Sequence, residues 1–144
     1  MKRAPSIIFF DIMGVLFNKI QSQEKITLAP IEPLINLIPT LKNHVQLATL
    51  SNCSQERWHD LLHNHTATFN HFDFHILSHR IGHKKPDMRI FHAACHETSV
   101  IPEEALFIDD NEFNCETAKS MGFNTIHCAD HVAVATEIKQ RLFI

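Results

Sequence analysis

Three apolar runs in this chain end directly in groups suited to phosphate and metal chemistry: Phe9-Phe10-Asp11, Leu50-Ser51-Asn52 and Ile108-Asp109-Asp110. A fourth segment, Gly82-His83-Lys84-Lys85-Pro86-Asp87, adds a cation. Clustered carboxylates suit a hard divalent ion that prefers oxygen ligands. A hydroxyl and an ammonium suit the equatorial oxygens of a phosphoryl group. Taken singly, each of these residues is more often a helix cap, a turn former or a solubilising lysine. Together they describe one chemistry, attack by a carboxylate on phosphorus, with positive charge supplied to offset the repulsion between the two anions.

The elements that would bring these groups together are legible as alternation. Five short apolar runs, Ser6 to Phe10, Val45 to Leu50, Phe72 to Leu77, Ala105 to Ile108 and Asn124 to Cys128, are each followed by polar residues and then a helical pattern. That order predicts an α/β protein, a Rossmann-like three-layer sandwich around a mainly parallel five-stranded sheet. Near-continuous apolar runs fit strands covered on both faces. Helices are expected after a Ser54 cap, after Asp87, from Asn111 to a stop at Gly122, and over His131 to Leu142. Pro39 interrupts the pattern Leu34, Ile35, Ile38, Leu41, which predicts a break there. In open parallel sheets ligands sit at the carboxyl ends of strands, so Asp11, Ser51, Asp109 and Asp110 would share one crevice.

With these motifs in order, the chain resembles the haloacid dehalogenase (HAD) hydrolases. Ile-Ile-Phe-Phe-Asp11-Ile-Met-Gly-Val-Leu is similar to the family's first motif, and Leu-Ala-Thr-Leu-Ser51-Asn52 to its second. Gly82 to Asp87 with Ile90-Phe91 resembles the K-P-D form of the third, and Phe-Ile-Asp109-Asp110-Asn-Glu-Phe-Asn114 the fourth. The resemblance implies a magnesium-dependent phosphatase working through an aspartyl-phosphate. Asp11 would be the nucleophile, with Ser51, Asn52 and Lys85 holding the phosphate. Mg2+ would be bound by Asp11, the backbone carbonyl of Met13 and Asp110, with Asp109 and Asn114 supporting them.

Two departures from the family pattern shape the expectation. Phosphatases of this family carry a second aspartate two residues after the nucleophile, and Met13 stands there instead. A thioether carries no proton, and loss of a general acid-base group costs about 10²- to 10⁴-fold in rate. Activated substrates such as acyl phosphates suffer least, and a catalytically impaired pseudoenzyme that binds a phosphorylated ligand or protein is the competing reading. The second departure is length: little chain separates Asp11 from Ser51, so residues 17–30 can form only a short flap in place of a helical cap domain. The site should then be open to a small phosphorylated substrate, a larger phosphorylated partner, or a second subunit of a homo-oligomer.

Bulk properties narrow the field further. A length of 144 residues with 44% apolar content predicts one domain, residues 1–144, with an adequate core. Thirteen basic against sixteen acidic residues, a net charge of -3, and no long run of one sign point away from nucleic acid and membrane surfaces. The apolar stretch after Met1-Lys2-Arg3 is too short for a leader, so a cytoplasmic location is expected. Four scattered cysteines read as free thiols, with Cys53 either activated at a helix start or buried and inert. Of twelve histidines, His71, His75, His79 and His83 would lie roughly 13 Å apart stepwise on a strand, too far to share an ion. His92 and His96 lack a third ligand, and His83 is the residue near Lys85 that could replace the missing proton donor.

Overall fold

The computed structural model describes residues 3–144. Five strands form one sheet: β1 (Ile7–Phe10), β4 (Gln46–Ser51), β5 (Phe74–Leu77), β6 (Ala105–Asp109) and β7 (Asn124–His127). Their order is β5-β4-β1-β6-β7, and every neighbouring pair is parallel. β1 therefore lies in the centre, its four residues fully buried, which is why it reads as an uninterrupted apolar run. All five strands fall within two residues of the expected runs.

The strand pleat divides the core in two. Ile8 and Phe10 face a layer built from α1 (Glu32–Ile35), α2 (Ile38–Leu41), α3 (Gln55–Asn64) and α8 (His131–Leu142), contributing Leu34, Ile38, Trp58 and Ile138. Ile7 and Phe9 face the other layer, where α6 (Met88–Thr98) and α7 (Glu112–Ser120) present Ile90, Phe91 and Ala118. Alternation along a strand sends neighbouring side chains to opposite layers, so one short strand nucleates both. Two single-turn helices, α4 (Thr66–Phe69) and α5 (Ser78–Ile81), complete the connections and carry no distinct signal in the sequence.

The caps lie where side-chain chemistry puts them. Ser54 Oγ accepts from Arg57 N–H, an Asp87 oxygen from Arg89 N–H, and the Asn111 carbonyl oxygen from Phe113 and Asn114 N–H. The break at Pro39 separates α1 from α2, with proline in the first turn of α2, where its missing N–H costs nothing. Gly122 follows the end of α7 with φ +104°.

Residues 17–30 form a two-stranded antiparallel hairpin, β2 (Phe17–Ser22) and β3 (Lys25–Pro30). Phe17 is buried against Phe69 and His65 and Leu28 packs against the core, while Ile20 and Ile26 toward the tip are exposed. The strand structure of the hairpin comes from its own cross-strand ladder.

Candidate active site

Asp11 follows the last residue of β1, Ser51 ends β4, and Asp109 ends β6, so adjacent parallel strands deliver the three groups to one edge of the sheet. Lys85 enters from the loop between α5 and α6. Its Nζ lies 3.0 Å from Asp11 Oδ1 and 2.7 Å from Asp109 Oδ2, and it donates to the Leu50 carbonyl at 2.8 Å. The side chain is 1% exposed. An ammonium in this position is held by fixed acceptors on three sides, far from the exposed solubilising lysine that its sequence context also allowed.

Asn52 sets the loop that carries Lys85. Its Oδ1 accepts from Lys85 N–H at 2.8 Å and its Nδ2 donates to the Lys85 carbonyl at 3.0 Å. Both ends of the Asn52 amide thus position the lysine backbone, and the residue also lines the cavity beside Ser51 and Met13. Ser51 is buried, 2% exposed, and lines the cavity beside Met13.

Asp109 is saturated by protein donors. Oδ1 accepts from Asn111 N–H (2.8 Å), and Oδ2 from Lys85 Nζ and from Asn114 Nδ2 (3.1 Å). Asp109 and Asn114 thereby hold each other beside Lys85. Asp11 Oδ1 accepts from its neighbour Ile12 N–H at 2.9 Å as well as facing Lys85.

Asp11, Asp109 and Asp110 each offer an oxygen, all within 4.8 Å of one another, and among the described residues they are the one such group of potential metal ligands. Burial is the main force on Asp11, whose carboxyl is pushed up from 3.8 to about 7 against the pull of Lys85 and with the help of Asp109 and Asp110. Burial and the Asp109 charge raise Asp110 too. Three carboxylates face one ammonium, and a dication would close that balance; with Asp109 already occupied, Asp11 and Asp110 are the groups left to meet it. The donor set is all oxygen, as magnesium requires.

The turn after Asp11 is shaped for this approach. Gly14 adopts φ +85°, and a Cβ there would fall 2.1 Å from Asp110 Oδ2. Two histidines fix the surrounding backbone: His131 Nε2 donates to the Gly14 carbonyl and His127 Nε2 to the Asp110 carbonyl, both at 2.9 Å. Neither histidine, nor a role for Gly14, was singled out from the sequence. The glycine inside an otherwise apolar stretch was the available signal, whereas the histidines were indistinguishable from the other ten. Met13 pairs with Phe17 by an isolated bridge and packs its chain against the core.

The remaining histidine expectations resolve by placement. His71, His75, His79 and His83 do not share a strand: His75 lies in β5 and His79 in α5, with the other two in connecting turns. Burial pushes His75 down to about 4, and its Nδ1 lies 2.9 Å from Thr49 Oγ1. His83 lines a cavity of about 700 Å³ with His79, Gly82 and Lys84, which adjoins the Met13 and Ser51 cavity through their shared walls Asn52, Cys53 and Ser54. All four cysteines are free, and burial pushes the Cys53 thiol up, the inert alternative of the two considered.

A parallel sheet with this strand order, ending in an aspartate pair, a serine and a loop lysine, defines a class. The chain belongs to the haloacid dehalogenase-like hydrolases, whose family model matches residues 8–128. Over 49 residues it is 43% identical to the D-ribitol-5-phosphate phosphatase of Bacteroides thetaiotaomicron, a stretch covering 34% of this chain and 24% of that protein. The chain thus spans a minor part of that curated relative's length. Its fold is that of a HAD-superfamily hydrolase from Ehrlichia chaffeensis, with a TM-score of 0.77 at 18% identity over 99% of this chain and 100% of the other. The HAD family enzyme bt-2542 of Bacteroides thetaiotaomicron, solved in complex with magnesium and inorganic phosphate, aligns with a TM-score of 0.74 at 18% identity over 85% and 93% of the two chains. No described helix is long and apolar enough to cross a membrane.

Proposed function

We propose that this chain is a magnesium-dependent phosphohydrolase that works through an aspartyl-phosphate on Asp11. The observation that carries the reading is Lys85 Nζ, buried and held between Asp11 and Asp109 beside the Asp110 carboxylate. A structural lysine would not need burial between two acids, because replacing such a cluster by apolar residues is often neutral or stabilising. The bt-2542 complex with magnesium and phosphate supports the same assignment by fold.

In this reading the Asp11 carboxylate attacks phosphorus while the P–O bond to the leaving group breaks. Lys85 and Ser51 bind the phosphoryl oxygens and hold the phosphorus in line. Water then cleaves the acyl-phosphate bond, releasing inorganic phosphate and restoring Asp11. Magnesium, when bound, supplies charge neutralisation at those oxygens, and Asp11, Asp110 and the Met13 carbonyl would hold it. Met13 leaves the leaving group without a protein proton donor at that position, which favours acyl and aryl phosphates.

That same methionine favours a second reading, a protein that binds phosphorylated ligands without turning them over. Hydrolysis of para-nitrophenyl phosphate and acetyl phosphate with magnesium separates the two. The wild type should exceed Asp11→Asn clearly, and equal signals would leave only binding. Met13→Asp should raise turnover of an alkyl phosphate by about 10²-fold and that of para-nitrophenyl phosphate by less, and unchanged rates would show that proton transfer does not limit the site.

A further inference from the structure

A cavity of about 300 Å³ opens beside the phosphate end of the site, with Met13, Ser51 and Cys53 among its walls. Two more of its walls are cationic: Lys19 from β2 of the hairpin and Arg57 from α3. Neither belongs to an ion pair among the described residues, and no carboxylate lines this cavity. Arg57 and Leu61 also wall a second cavity of about 480 Å³, which runs under the hairpin past Lys25 and has one carboxylate, Asp60, in its wall. The positive charge of Arg57 is felt at Cys53, where it opposes the upward push of burial on the thiol.

The contrast with the other end of the site is one of sign. Around Asp11 the acids outnumber Lys85, whereas beyond Ser51 the wall offers only cations. A phosphoryl group seated on Ser51 would direct the rest of its molecule past Met13 into this cavity. Two unpaired cations there are matched by an anion. The volume is at the small end of the range for small-molecule sites, so the second charge must lie only a few bonds from phosphorus.

We infer that Lys19 and Arg57 form a subsite for a second anionic group, so that the ligands of this protein are small phosphates carrying a nearby carboxylate or a second phosphoryl group. The inference rests on the phosphate site proposed above and deepens it. It also offers a physical answer to Met13: a leaving group that departs as an anion beside two cations needs less help from a proton. Because Lys19 sits on the hairpin, the flap takes part in recognition in the place where a cap domain would otherwise select the substrate.

The test uses non-hydrolysable phosphonates, measured by calorimetry on the full chain with magnesium in constant excess. Propylphosphonate reports the phosphate site alone, 3-phosphonopropionate adds a carboxylate, and 1,3-propanediphosphonate adds a second phosphoryl group. At least one of the two ligands with a second anionic group should bind about tenfold more tightly than propylphosphonate, and which one does so distinguishes the two anions. In Lys19→Met/Arg57→Met that advantage should shrink toward a ratio of one. Equal binding of all three ligands by the wild type would overturn the subsite while leaving the phosphate site intact. Failure to bind propylphosphonate, with the others also silent, would remove both. An advantage that survives in a folded double variant, checked by circular dichroism, would assign it to other residues.

Discussion

The Asp87–Arg89 pair and the Lys85 cluster lie within a few residues of one another in the chain and at opposite ends of the solvent scale. Arg89 makes three contacts to Asp87, at 2.7, 3.1 and 3.2 Å, and its side chain is 68% exposed. Lys85 makes contacts of similar length, yet its side chain is 1% exposed. Water and salt compete for the first pair, which holds Asp87 below the ordinary carboxylate range and helps cap α6. Nothing competes for the second, so every charge in it must be matched by another. Equal geometry thus produces a local trim on the surface and a water-excluded cluster of unequal charge inside.

That contrast is broken most severely by Lys85→Met. It strands Asp11 and Asp109 without their cation, and should cost about 3–5 kcal/mol in a urea titration while abolishing phosphatase activity. A stable, active variant would show that the cluster does not depend on its lysine.

Next in size is the pH response of the magnesium-free protein. The folded Asp11 carboxyl sits near 7 against 3.8 for the free group, so the native state binds more protons than the unfolded state between those values. Its contribution to stability is therefore fully present below about pH 4 and is lost as pH rises through about 7. Asp11→Asn should escape this loss and be more stable than the wild type at pH 8, by on the order of 1–3 kcal/mol. Added magnesium should raise the Tm of the wild type more than that of the variant. Parallel pH profiles of Tm for the two proteins would contradict the assignment.

Gly14→Ala sharpens the comparison from the other side, because it leaves the charges in place and displaces Asp110. Magnesium dependence of hydrolysis should shift to concentrations about tenfold higher or more. Arg89→Ala should do least: a slight fall in Tm, erased at high salt, with hydrolysis unchanged. A fall comparable to that of Lys85→Met would mean that exposure does not set the value of these pairs.

How much of this was visible in advance differs by residue. The central strand was legible because Ile7 to Phe10 are buried on both faces and admit no polar residue. The caps at Ser54, Asp87 and Asn111 were legible or bracketed because a short polar side chain satisfies its own helix end, a contact made within three residues. Asp11, Ser51, Asp109 and Asp110 stood out because strand ends supply ligands in this kind of sheet, and Lys85 because of the Gly82–Asp87 motif around it. The tie from Asn52 was not legible for the opposite reason: its partner, the backbone of Lys85, is distant in sequence. His127 and His131 escaped notice on the same ground, since what they hold is fixed only when β7 and α8 arrive beside the nucleophile turn.

The sequence by itself determined the alternating elements, the layers and the types of group at each strand end, because these follow from periodicity and from contacts between near neighbours. Only the tertiary structure decided that Asp109 is saturated while Asp110 is not, that Lys85 is sealed from water, and that Lys19 and Arg57 face the far side of the same crevice. Those outcomes depend on how many groups compete for one small volume, a quantity that no short stretch of chain contains.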